Sequence, residues 1–148
     1  MKRINQLEHE APGSVNLSPA QIEAIIRILN ETVAPASIML FGSAAKGTFR
    51  PDSDLDLAYI PNCHRPGAYE RFQIAATLAD VVGREVDLVD FEQASPVFRA
   101  QIIDGGILLY ETDALKRQLL FMRSLKEYAM LNAERSEIIQ NRMREGRT

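Results

Sequence analysis

The chain has 148 residues, of which 46% are hydrophobic and 25% charged; these are ordinary values for one globular domain and exclude a disordered, collagenous or purely coiled-coil chain. A net charge of −3, from 17 basic and 20 acidic residues, excludes a protein whose main task is to coat nucleic acid, which needs a basic surplus. A single cysteine, Cys63, rules out an intrachain disulfide, and with no secretory pattern and no apolar run near the ~20 residues that span a bilayer, the expectation is a cytoplasmic protein without a membrane segment.

Residues 1–17 carry no helical or strand period and are punctuated by Pro12-Gly13, so they read as a flexible arm. Ser18-Pro19-Ala20-Gln21 is a helix start, with a capping hydroxyl, a proline at the first position and a glutamine at the third. Ile22, Ile25, Ile26 and Leu29 continue it at helical spacing, and Pro35 closes it. Ser37 to Phe41 is an apolar strand that stops at Gly42-Ser43. Ala44 to Ser53 reads as a short helical turn and loop, and Leu55 to Ile60 as a second strand ended by Pro61.

After a polar loop, Tyr69, Phe72, Ala75, Ala76, Ala79 and Val82 mark a second long helix with Gly83 at its exit. Glu85 to Phe91 is a third strand, Ser95-Pro96 opens a short helix through Ile103, and Ile107 to Tyr110 is a fourth strand. From Thr112 the chain reads as helix for about thirty residues, with Leu115, Leu119, Met122, Leu125 and Ala129 in one stripe expected to face the core. Leu120, Phe121, Tyr128, Met130 and Leu131 lie off that stripe, leaving apolar surface for a partner or a second copy. This last segment is also the basic part: residues 111–148 hold 8 basic and 6 acidic side chains, against 9 and 14 before it. The alternation predicts an α/β (α+β) fold, a small mixed sheet flanked by helices with a C-terminal helix.

Chemistry concentrates in Gly42-Ser43 followed, ten residues later, by Asp54-Leu55-Asp56. Strand side chains alternate, so Asp54 and Asp56 share a face with Cα atoms ~6.6 Å apart. Paired carboxylates repel unless neutralised, and hard divalent cations with oxygen ligands are the usual neutraliser. The Gly-Ser turn offers backbone N–H groups and a hydroxyl to an anion, and Lys46 adds positive charge one turn on. A phosphate cradle beside a metal clamp is equipment for phosphoryl or nucleotidyl transfer. A third acid completes such a site. Asp87 is the best placed, inside the apolar run Val86, Leu88, Val89; Glu85 has the same parity and can stand in, whereas Asp90 has the opposite parity and reads as solvated.

The string Gly42-Ser43-Ala44-Ala45-Lys46-Gly47-Thr48-Phe49-Arg50-Pro51-Asp52-Ser53-Asp54-Leu55-Asp56-Leu57, with Asp87 on a later strand, resembles the nucleotidyltransferase superfamily of DNA polymerase β type. It is especially similar to the minimal nucleotidyltransferases, the MntA-type antitoxins, and Gly106 to Glu111 resembles the strand that closes their core. The resemblance implies a nucleotidyltransferase core over 18–111 and a C-terminal extension, 112–148, that packs on the core or on a partner. It implies ATP as co-substrate and two Mg²⁺ ions held by Asp54, Asp56 and Asp87, with Asp87 also serving as base. Gly42 and Ser43 would hold the triphosphate, with Lys46, Arg50 and Ser53 as further contacts. The implied partner is a small helical HEPN ribonuclease toxin, silenced by transfer of AMP to a tyrosine, with no direct nucleic-acid or membrane binding. Two other readings are an antitoxin that acts by binding alone and a transferase for a small molecule such as an antibiotic. Cys63-His64 makes a poor metal pair because adjacent side chains point apart, and Ser43 has no neighbouring histidine to make it a nucleophile.

Overall fold

A mixed sheet in the order β1-β5-β2-β3-β4 carries helices on both faces in a computed structural model of the chain, which describes residues 1–4, 17–47, 50 and 52–146. The strands are β1 (Lys2–Arg3), β2 (Ser37–Phe41), β3 (Leu55–Ile60), β4 (Val86–Asp90) and β5 (Ile107–Glu111). The helices are α1 (Pro19–Thr32), α2 (Ser43–Lys46), α3 (Ala68–Val82), α4 (Pro96–Gly105) and α5 (Ala114–Glu145). β2 runs antiparallel to β3 and β5, while β4 joins β3 and β1 joins β5 in parallel.

Local sequence explains the elements. Ser18 and Gln21 form a reciprocal capping box, each side chain accepting the other's backbone N–H at 3.0–3.1 Å. β2 is central, and all five of its residues are buried. On β3, Leu55, Leu57 and Tyr59 face one layer with Ile25, Leu29 and Leu78 from α1 and α3. Ala58 and Ile60 face the other, with Ile102 of α4 and Leu120 and Phe121 of α5. α5 is pinned to the sheet by the Arg117 guanidinium, which donates to the Glu111 carboxylate at the end of β5. Ser37 Oγ donates to the same carboxylate at 3.2 Å. A buried pair of this kind is costly to break because the surviving charge stays buried.

Four expectations change. Lys2 and Arg3, placed in the flexible arm, pair with Ile107 and Leu108 as an edge strand, and Leu17 is buried; residues 5–16 lie outside the described residues. The third strand ends at Asp90 rather than Phe91, because Asp90 Oδ1 accepts the Glu92 N–H and turns the chain into a 3₁₀ turn, Phe91–Gln93. On α3 the buried residues are Ile74, Leu78 and Val82, whereas Tyr69 and Phe72 are exposed. On α5 the stripe is inverted: Leu115, Leu119, Met122 and Leu125 are exposed, and Arg117, Leu120, Phe121 and Ser124 are buried. Counting apolar residues selects the wrong face because the buried one includes a paired arginine and a serine whose hydroxyl donates to the Leu120 carbonyl at 2.7 Å. Among the described residues no helix is long and apolar enough to cross a membrane.

Candidate active site

The Leu55 N–H donates to the Glu85 carbonyl at 2.9 Å, which sets the β3–β4 register so that Asp56 lies directly opposite Asp87. Residues opposed in a sheet share a face, so both carboxylates project on the α4–α5 side at the end where the two strands begin. Asp54 immediately precedes β3. Asp54 and Asp87 are exposed and Asp56 is half-buried. Burial first, then the charges of Asp87 and Asp54, push the Asp56 carboxyl up to about 6. Glu85, the alternative third acid, lies before β4 and its charge is not among the causes of that shift. The geometry therefore brings together Asp54, Asp56 and Asp87.

Gly42 follows β2 and stands against the Asp56 side chain. Its backbone, at φ 70° and ψ −147°, is a conformation only glycine adopts readily, and a Cβ there would lie 2.2 Å from Asp56 Oδ2. The turn leads into α2, where Ser43 is half-buried, Ala44 is buried and the Lys46 N–H returns to the Gly42 carbonyl at 3.2 Å. Lys46 is exposed, and its Cε passes 3.7 Å from where a Cβ on Gly105 would sit, at the end of α4. Arg50 is exposed; Ser53 Oγ accepts the Arg50 N–H at 3.1 Å, so that hydroxyl serves the turn itself. Thr48, Phe49 and Pro51 lie outside the described residues.

Two residues here escape sequence reasoning. Arg84 Nη1 donates to the Arg50 carbonyl at 2.8 Å and the Ser53 carbonyl at 3.3 Å, bracing the loop that delivers Asp54. Its only signal is its position in the tight link just before the strand that carries Asp87. Asp90, expected to be solvated, is buried: Oδ2 pairs with Arg65 Nη1 at 3.4 Å, and Arg65 also reaches Glu92 at 3.3 Å. Asp90 does have the opposite parity to Asp87, but that face is covered by α1 and α3 rather than open to water. Cys63 is exposed, and His64 Nε2 pairs with Glu70 at 3.1 Å.

Among the described residues, no group of three His, Cys, Asp or Glu side chains converges into a ready cage for an ion. The donor chemistry nonetheless fits a hard divalent cation: the donors are carboxylate oxygens, and the Asp56 carboxyl, raised by burial first and then by the charges of Asp87 and Asp54, would be relieved by a cation beside it.

Residues 23–115 match the polymerase beta nucleotidyltransferase family. The chain is 32% identical over 120 residues to the protein adenylyltransferase MntA of Shewanella oneidensis, covering 80% of this chain and 85% of that one. It is similar to a crystal structure of a toxin–antitoxin with AMP-PNP, with a TM-score of 0.73 at 32% identity over 82% of this chain and 98% of that one. A complex of tri-AMPylated Shewanella oneidensis HEPN toxin with MNT antitoxin gives a TM-score of 0.68 at 29% identity, covering 84% and 97%. With the family match spanning well over half its length and the paired aspartates in register behind the Gly-Ser turn, the chain belongs to the polymerase β nucleotidyltransferase family.

Proposed function

We propose that this chain is a cytoplasmic antitoxin that transfers AMP from ATP to a tyrosine hydroxyl of a cognate HEPN ribonuclease toxin and thereby silences it. The observation that carries this reading is the register match of Asp56 with Asp87, with Asp54 beside them and Gly42 packed against Asp56. The similar adenylyltransferase and the similar complexes with AMP-PNP and with an AMPylated toxin support the nucleotide, the reaction and the partner.

Gly42 and Ser43 would hold the triphosphate through backbone N–H groups and the hydroxyl, with Lys46 and Arg50 as outlying positive charges. Ser53 contributes through the turn that presents Asp54. Asp54, Asp56 and Asp87 would hold two Mg²⁺ ions, which when bound supply charge neutralisation at the reacting phosphate and the leaving pyrophosphate. The acceptor oxygen bonds to the α-phosphorus, and the bond from that phosphorus to the pyrophosphate oxygen breaks. The hydroxyl proton passes to Asp87 and then to water. Residues 18–111 would form the catalytic core and 112–148 the extension that packs on the core or on the partner.

The test is incubation with ATP labelled at the α-phosphate and purified toxin, followed by mapping of the label. Label on a toxin tyrosine is expected; an unlabelled toxin would overturn the reading. Exposed Leu115, Leu119, Met122 and Leu125 favour, as a second reading, neutralisation by occupancy, since they offer a partner an apolar face.

Arg84 gives a further prediction. Arg84→Ala should slow transfer by about tenfold and cost about 1 kcal/mol of stability, because the Arg50 and Ser53 carbonyls lose the guanidinium that ties them to the start of β4. Transfer rates and thermal melts check this, and Arg84→Lys should recover only part, since its flexible, strongly hydrated ammonium is not held where the planar guanidinium fixes Nη1 between the two carbonyls.

A further inference from the structure

β4 is the outermost strand on one side of the sheet. In a parallel ladder, alternate residues of an edge strand turn their backbone groups to the neighbour and the others turn them outward. The Leu55 N–H to Glu85 carbonyl bond, with Leu55 opposite Val86, sets the phase. Asp87 and Val89 face β3, whereas Val86 and Leu88 present N–H and C=O groups, and Asp90 its N–H, to the open edge; the Asp90 carbonyl begins the 3₁₀ turn. Among the described residues β3 is the one strand paired with β4, and no backbone bond outside the helices and strands reaches these outward groups. Native folds usually cover or blunt such an edge.

A cleft of about 440 Å³ follows this edge, lined by Asp87, Leu88, Val89 and Asp90 together with Arg71, Gln93 and Phe98. Leu88 and Val89 point to opposite faces, so the cleft straddles the edge rather than lying on one face. Arg71 Nη1 donates to Gln93 Oε1 at 3.5 Å, linking α3 to the turn after β4 at one end. Asp87 lies at the other. Phe98, packed edge-on against Phe41 with ring centroids 5.5 Å apart, gives the wall on the Asp87 face an aromatic surface suited to a phenol ring.

We propose that the open edge of β4 is the acceptor-binding site: an extended segment of the partner protein adds to the sheet there and brings its tyrosine hydroxyl to Asp87. This rests on the adenylyl-transfer reading of Asp54, Asp56 and Asp87. The occupant is an extended chain because the edge offers strand-pairing groups at every second residue, the complement of another strand. It is the acceptor chain because the cleft runs up to the acid that receives the acceptor's proton.

Residue-resolved amide hydrogen exchange of the full chain, with and without purified cognate toxin and a non-hydrolysable ATP analogue, tests it. Val86, Leu88 and Asp90 should slow by about tenfold or more in the complex, while Asp87 and Val89, already paired to β3, change little. Ala94→Trp, which puts an indole into the cleft lined by Ala94, should raise KM for the toxin by about tenfold, with kcat at saturating toxin and nucleotide Kd unchanged. Unchanged exchange at Val86, Leu88 and Asp90 in a chain that still labels its toxin would overturn the groove and leave the transfer reading standing. Protection that appears without toxin and grows with protein concentration would also overturn it, by making a second copy the occupant. Failure of the wild-type chain to label any toxin would instead strike the transfer reading beneath it.

Discussion

Asp56→Asn is expected to lower AMP transfer by about a thousandfold or more, some 4 kcal/mol of transition-state stabilisation, while making the metal-free chain more stable at pH 8. Both effects have one cause. Asp56 is half-buried between Asp54 and Asp87, and its carboxyl is raised from the ordinary 3.8 to about 6 by burial and by those two charges. The folded chain therefore binds that proton more tightly than the unfolded chain. The contribution of this group to stability is greatest below about pH 4, falls as pH rises toward about 6 and is flat above it. With solvent screening of a half-exposed group, the loss is on the order of 1–2 kcal/mol. The neutral amide removes it, so thermal melts in chelator should place the variant roughly 3–8 °C above wild type at pH 8 and level with it at pH 4. Equal melting curves across that range would show that Asp56 is not crowded.

Gly42→Ala carries the second large effect. The alanine methyl must occupy a backbone conformation at φ 70°, ψ −147° and a point 2.2 Å from Asp56 Oδ2. Strain and displacement together should cost about 2–4 kcal/mol, and the displaced carboxylate should take transfer down by about a hundredfold or more. Gly47→Ala is the control. It also has positive φ, at 74°, but among the described residues nothing lies within 4 Å of its Cβ position. It should cost about 1 kcal/mol and leave transfer within about twofold. Equal losses in the two variants would show that the contact with Asp56 has no consequence.

The candidate site is legible in the sequence because its parts lie on or beside strands of known parity: Gly42 follows one, Asp54 precedes and Asp56 lies in another, and Asp87 sits on the next. What sequence could not give was pairing. That Asp87 rather than Glu85 opposes Asp56 depends on the β3–β4 register, fixed by the Leu55 to Glu85 bond. The bracing by Arg84 depends on two carbonyls more than thirty residues away in the chain. The misread faces share a physical reason. Arg117 and Asp90 are buried because each has an opposite charge, Glu111 and Arg65, that only the fold brings near. A pattern of apolar residues counts such positions as solvent-facing. The strand at Lys2–Arg3 is not legible because two charged residues carry no strand period; it pairs in parallel with Ile107 and Leu108 of β5, and Arg3 reaches the Glu111 carboxylate at 3.7 Å.

The inverted α5 helix matters for function as well as for fold. Its exposed Leu115, Leu119, Met122 and Leu125 give the occupancy reading its physical basis, and catalysis and occupancy predict different states of the toxin once the two proteins are separated. The decisive measurement is the mass and ribonuclease activity of the toxin after incubation with ATP and either the wild-type chain or the Asp54→Asn/Asp56→Asn double variant, followed by removal of the antitoxin. The account predicts that toxin treated with wild type gains AMP and stays inactive, whereas toxin treated with the variant is unmodified and regains full activity. An unmodified toxin that wild type inhibits only while bound, or a double variant that modifies it at the wild-type rate, would contradict it.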